Sequence, residues 1–273
     1  MGMYFVKDWY CKPYKKTYQG IWVPKTWSGL TSFYGTRIWT DGTDVYHSGS
    51  SSQYVLDRTT STWTAKIWNG APSNLDGEEI WTDGTYIYAS HTEGTYANKY
   101  QKRLRDDGIT WDEYYWSGKS DFSGTGIWKD GETIYLSTGE YDYNYILTSS
   151  NSFSYKSWNA LKQFKGYSVW TDGTDIYYSS GSNTQFVLDR ATSTWMQKSW
   201  SGIDLSTFYG NNVWTDGSNI YSSNGSKQYV LDKTTSTWSK KTWQGFTNLN
   251  GYYIWKDGDH IYYSYGTNQY ELT

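Results

Sequence analysis

One tetrad recurs six times along this chain: Trp, then Thr or Lys, then Asp-Gly, beginning at Trp39, Trp81, Trp128, Trp170, Trp214 and Trp255. The copies lie about forty-odd residues apart, a period that belongs to propellers and solenoids. Ile or Val precedes each Trp, and a β-branched residue with Tyr follows the Asp-Gly, as in Val45-Tyr46, Ile87-Tyr88 and Ile261-Tyr262. Asp-Gly between two such runs predicts a β-hairpin. A third run comes next, clearest at Gln53 to Asp57, Gln185 to Asp189 and Gln228 to Asp232, and a Thr-Ser-Thr turn then leads to a fourth that starts on Trp. Another Trp follows five residues later: Trp63 and Trp68, Trp111 and Trp116, Trp195 and Trp200, Trp238 and Trp243, with Phe153 and Trp158 in the third unit. Four short strands joined by tight turns, with no helical segment, describe a propeller blade.

A solenoid needs atypical polar caps at both ends, whereas the ends here read as two parts of one unit. The unit that opens at Trp255 runs through Gln269-Tyr270-Glu271-Leu272 without a fourth strand, and Ile21-Trp22 with Trp27 repeats the five-residue Trp spacing. The expected fold is all-β: a six-bladed β-propeller of four-stranded antiparallel blades, its ring closed by the N-terminal strand completing the last blade. The expected layout is a single propeller domain over 1–273, with an extension at 1–20, the closing strand at 21–29 and repeats beginning near 36, 78, 125, 167, 211 and 252.

Composition agrees and narrows the function classes. Aromatics make up 21% of the residues against three prolines, which favours strands and tight turns over helices. The net charge of -3 comes from interspersed signs, so no basic stripe is available for phosphates and nucleic acid is not an expected partner. Cys11 is the single cysteine, which excludes a disulfide framework within one chain. The first residues carry no secretory apolar stretch and no long apolar run appears anywhere, so neither a signal peptide nor membrane insertion is expected. A cytoplasmic or a virion setting stays open. Each Asp-Gly turn holds one carboxylate, against the roughly six to eight oxygens that calcium takes. His47, His91 and His260 occupy unrelated positions in the repeat, so no metal site can be drawn. No cofactor is expected.

The segment Asp57, Thr60, Trp63 repeats as Asp189, Thr192, Trp195 and Asp232, Thr235, Trp238. With the Asp41-Gly42 hairpin leading to Val45-Tyr46, it resembles the kelch family over nearly the whole chain after the first twenty residues. One departure stands out: the paired glycines that the family carries after the second strand are Ser-Gly here, as in Ser48-Gly49 and Ser180-Gly181. The resemblance implies a propeller and, among kelch-like enzymes, sugar-acid mutarotases or copper-dependent oxidases. The scattered histidines and lone cysteine offer no plausible copper ligands.

Where near-identical units disagree, the differences point to a site. If the first strand of each blade runs from the top face down to its Asp-Gly turn, the varied loops lie on top and the uniform turns at the bottom. The two residues before each Ile/Val-Trp pair differ most: Thr36-Arg37, Glu78-Glu79, Thr125-Gly126, Tyr167-Ser168, Asn211-Asn212 and Tyr252-Tyr253. They are expected to open the innermost strands and ring the channel mouth, a concave place with a few convergent polar groups. Tyr34, Phe208 and Tyr209 in adjoining loops would add rigid contact area. The expected ligand-binding set is therefore Arg37, Glu79, Tyr167, Asn211, Asn212, Tyr252, Tyr253, Tyr34, Phe208 and Tyr209. The repeated Trp residues are expected to be wedges between blades, each burying roughly 150–250 Å², or about 4–6 kcal/mol before entropy costs.

The functional expectation is a non-catalytic binding module that recognises a glycan or protein surface through its top face, in a phage-tail or other surface protein. Tyr, Asn and Ser suit a neutral polyol because they offer flat faces and hydrogen bonds without burying charge. The alternatives are a mutarotase-like sugar-modifying enzyme and a scaffold subunit. In the enzyme, Glu78 or Glu79 beside Arg37 would move a proton. Adjacent residues on a strand face opposite ways, so only one of that pair could serve.

Overall fold

The computed structural model describes residues 16–273 apart from 50, 94–97, 120, 140–142, 150 and 182–183. Cys11 and Trp9 lie outside the described residues, as does the side chain of His91. Six antiparallel sheets form the ring, each opening with one of the six Trp tetrads. Blade 1 is typical, with strands at Ile38–Thr40, Val45–Gly49, Ser52–Asp57 and Thr62–Ala65. Blade 6 takes its first three strands from Ile254–Asp257, His260–Gly266 and Asn268–Leu272. Its fourth is Trp22–Pro24, with Trp22 opposite Leu272 and Pro24 opposite Tyr270. Lys25 pairs with Glu271 at 3.2 Å beside this seam.

Every inner-strand Trp reaches the outer strand of the next blade. Trp39 meets Trp111 at 6.1 Å between ring centroids, Trp81 meets Phe153 at 6.4 Å, Trp128 meets Trp195 at 6.0 Å and Trp170 meets Trp238 at 6.0 Å. Trp214 meets Trp22 at 6.0 Å and Trp255 meets Trp63 at 6.2 Å, which completes the circle. The wedges are thus real, and each is packed on its own blade by the following Tyr, as Trp39 is by Tyr46 at 4.5 Å. A serine repeated nine residues after each inner-strand Trp also has a task. The Trp39 indole N–H donates to Ser48 Oγ at 2.8 Å in the buried interior, and Trp128, Trp170, Trp214 and Trp255 do the same to Ser137, Ser179, Ser223 and Ser264. In blade 2, Ser90 donates to Gln101 instead.

Two further rings run round the molecule. At the perimeter, the residue after each second Trp accepts from the next outer strand: Trp63 N–H donates to Ser28 O, Trp111 N–H to Asn69 O, and Trp22 N–H to Gln244 O. Glycine follows, as at Gly29 with φ of +80°, where a Cβ would stand 2.0 Å from Trp63 O. Blade 3 alone departs, placing Ala160 there at φ 69°. At the axis, six single 3-10 turns, the first at Gly35–Arg37 and the last at Gly251–Tyr253, touch one another in a closed circle. A Cβ on Gly35 would lie 2.0 Å from Tyr253 O, so only glycine lets neighbouring turns approach this closely.

The bottom turns satisfy themselves. Asp41 Oδ1 accepts from the Thr43 and Asp44 N–H groups while Oδ2 accepts from the Tyr46 hydroxyl at 2.9 Å. In the repeated Asp-x-x-Thr-x-x-Trp segment, Asp57 accepts from the Thr59 N–H and the Thr60 hydroxyl, and the Thr60 bond above all holds its carboxyl below the ordinary range. On top, an amide near the start of the third strand pins the blade-joining segment, as where the Gln53 side chain donates to Leu75 O at 3.0 Å.

Candidate binding site

The residues expected to open the innermost strands lie in the 3-10 turns instead, because the glycine before them bends the chain over the neighbouring turn. The two varied positions of each turn consequently have different jobs. The second turns toward the residue that precedes the next blade's glycine. Arg37 Nη2 lies 3.3 Å from Asp76 Oδ2, Glu79 Oε2 accepts from the Ser123 hydroxyl at 2.7 Å and the Gly124 N–H at 3.1 Å, and Tyr253 packs on Tyr34 at 5.9 Å. The first faces the channel mouth. Thr36 donates to Glu78 Oε1 at 2.7 Å, and the Tyr252 hydroxyl donates to Glu78 Oε2 at 3.2 Å. Blade 1 separates Tyr252 from Glu78, so this bond crosses inside the ring. Strand alternation therefore does not govern Glu78 and Glu79, which both serve as inter-blade clasps. Asp76 caps its own turn by accepting from the Glu78 N–H, and burial pushes its carboxyl up in spite of the Arg37 cation.

Above the junction of blades 6 and 1 stands an aromatic cluster. Tyr265 lies 4.6 Å from Tyr253 and 5.3 Å from Tyr34, and Tyr252 lies 5.1 Å from Tyr253. Tyr34 and Tyr265 are 39% and 44% exposed, and the Arg37 guanidinium sits 5.8 Å from the Tyr34 ring centroid. Beneath them, His47 is 5% exposed and packs on Phe33 at 5.6 Å and Trp63 at 6.4 Å. Neither of its ring nitrogens has a hydrogen-bond partner among the described residues. Burial, and then the Arg37 charge, push its pKa down from 6.5 to about 4, so the ring is neutral near pH 7.

No family model matches the chain, and neither does any curated protein. Solved structures do resemble it. Over 94% of its length it matches the extracellular domain of a hybrid two-component system from B. thetaiotaomicron, at 10% identity and a TM-score of 0.54, covering 42% of that chain. The extracellular domain of a one-component system from the same organism matches over 94% at 8% identity and a TM-score of 0.54, covering 43% of that chain. The chain spans less than half the length of these structures, and at such identity the likeness is one of fold.

The remaining predicted residues separate from the cluster. Phe208 is a correction: at 1% exposure it is packed 5.2 Å from Trp238 and 5.9 Å from Trp170 and presents no surface. Its position is a repeated core position, filled elsewhere by Phe33, Leu75, Phe122, Phe164 and Leu249. Tyr209 is exposed, with its ring laid over Gly181 on blade 4. Tyr167 lies half-buried on blade 4, with Lys165 Nζ 5.5 Å from its ring, while Asn211 is half-buried and Asn212 buried on blade 5. The sequence shows His47 only as one of three histidines at unrelated positions, because nothing local tells that its strand face meets the tyrosine junction.

Proposed function

We infer that the chain is a non-catalytic, kelch-like recognition module whose top face, at the junction of blades 6 and 1, binds a glycan. The Tyr34–Tyr253–Tyr265 cluster, with Tyr34 and Tyr265 exposed and Tyr253 half-buried between them, carries this reading. Elsewhere the aromatic rings mostly fill the core, whereas here several are gathered at the surface with unequal polar neighbours, as a binding patch requires. Glu78 at the channel mouth and Glu79 beside it both accept hydrogen bonds from neighbouring turns, which favours binding over the sugar-modifying enzyme. The self-satisfied bottom turns likewise favour the top face over a scaffold contact below. The extracellular character of the similar structures supports a surface setting, on a cell or on a phage particle.

A glycan array probed with the purified protein and with a Tyr34→Ala, Tyr265→Ala double variant tests this. Specific binding, reduced at least ten-fold in a variant of unchanged melting temperature, is the expected result. Silence across the array would sink the glycan reading in favour of a protein partner.

A further inference from the structure

Blade 1 breaks the repeat at three places that meet in space. Arg37 stands where other blades have Glu79, Gly126, Ser168, Asn212 and Tyr253, and His47 where they have Ala89, Leu136, Tyr178, Ser222 and Tyr263. Gly49 stands where they have His91, Thr138, Ser180, Asn224 and Tyr265. A Cβ on Gly49 would lie 2.9 Å from His47 Cε1 and 3.4 Å from Arg37 Nη1, closer than a methyl tolerates, so the bare backbone lets imidazole and guanidinium close together into a tight cradle. A buried imidazole with both nitrogens unpartnered is costly unless something outside the chain satisfies it. Arg37 has five donors, and its only ion pair among the described residues is the 3.3 Å contact to Asp76.

We propose that the Arg37–Gly49–His47 cradle is the anchoring subsite for a neutral sugar ring, which lays its apolar face on Tyr34, Tyr253 and Tyr265 and brings one hydroxyl to the Arg37 guanidinium and the His47 imidazole beside Gly49. This rests on the glycan reading above and specifies its ligand class. The charge balance selects neutrality. Asp76 and Glu78 on the neighbouring turn oppose an acidic sugar, while Arg37 opposes an amine. A hydroxyl both donates and accepts, and it meets the guanidinium donors, the Asp76 acceptor and a neutral imidazole that offers one of each. The tyrosine hydroxyls can serve further positions around the ring.

The test compares neutral oligosaccharides of glucose, galactose and mannose with their uronic-acid counterparts, using the parent chain and three variants. Gly49→Ala fills the cradle at a position whose backbone is not left-handed, and His47→Leu installs the residue that blade 3 carries. Ile67→Thr, at an 83% exposed perimeter position, is the control. Expected are neutral-sugar binding by the parent, at least ten-fold losses in Gly49→Ala and in His47→Leu, the latter at unchanged melting temperature, and no change in Ile67→Thr. Unchanged affinity in both cradle variants, or parental preference for the uronic acids, would overturn the cradle while leaving a glycan-binding module standing. A parent that binds neither series would overturn the module reading together with the cradle.

Discussion

The junction of blades 6 and 1 and the junction of blades 3 and 4 are built on one frame with different tops. Trp255 meets Trp63 at 6.2 Å in the first, and Trp128 meets Trp195 at 6.0 Å in the second. Phe33 and Phe164 lie against those outer-strand tryptophans at 5.4 and 5.2 Å. At the bottom, Arg58 Nε donates to both oxygens of Asp257, and Arg190 Nε to both oxygens of Asp130. Above this shared frame, Tyr34, Arg37, His47, Gly49, Tyr253 and Tyr265 correspond to Lys165, Ser168, Tyr178, Ser180, Gly126 and Thr138. Packing is thus held constant while the upper layer varies, so recognition can be altered at one junction without disturbing closure of the ring.

If the frames are equivalent, truncating either wedge should cost the same. Trp255→Ala and Trp128→Ala should each lose about 3–5 kcal/mol in denaturant unfolding, the usual range for a core Trp. A difference above about 2 kcal/mol between them would break the equivalence. The tops, by contrast, should differ in acid. The folded pKa of His47 lies below the ordinary 6.5, so the fold favours the neutral ring. The resulting stability is complete above pH 6.5 and drains away as the pH falls toward 4. Stability at pH 4 should therefore improve by about 2–3 kcal/mol, relative to its value at pH 7, in His47→Leu compared with the parent. A pH profile identical in the two proteins would contradict the buried neutral imidazole.

A smaller asymmetry lies at the perimeter, where Gly29 serves the first junction and Ala160, at φ 69°, the second. Ala160→Gly should stabilise by about 1 kcal/mol, because a residue with a Cβ is strained in the left-handed region. A melting temperature that does not rise would show the strain already relieved. Smallest of all, Arg58→Ala and Arg190→Ala should each cost about 1 kcal/mol or less, since both guanidinium groups remain partly exposed. Raising the salt concentration should shrink both losses alike.

What repeats was legible in the sequence, and what depends on neighbours was not. The Trp wedges, the hairpin turns and closure by Trp22 declared themselves because six copies of one environment select the same residues. The inner turns lie one residue away from the variable pairs that open at Thr36, for Gly35, Gly77, Gly124, Gly166, Gly210 and Gly251 recur just as regularly. That glycine marks a close backbone approach, and it would have turned the expected strand openings into turns. The same alignment exposes Phe208 as core, since Phe or Leu always stands two residues before the glycine. Tyr34, Tyr252, Tyr253 and Arg37 could be picked as variable, but their gathering with His47 follows from the meeting of blade 6 with blade 1. No local pattern encodes that meeting.

The seam between Trp22–Pro24 and Asn268–Leu272 has a kinetic meaning. Blade 6 is the one blade assembled from two distant stretches of chain, so the ring opens by the shortest route when Trp22–Pro24 peels away and carries blade 1 with it. The tyrosine cluster straddles this parting, with Tyr253 and Tyr265 on the side that stays and Tyr34 and Arg37 on the side that leaves. A ligand gripping both sides would act as a latch, slowing forced or thermal opening of the ring, so the dwell time of the closed state would itself report occupancy.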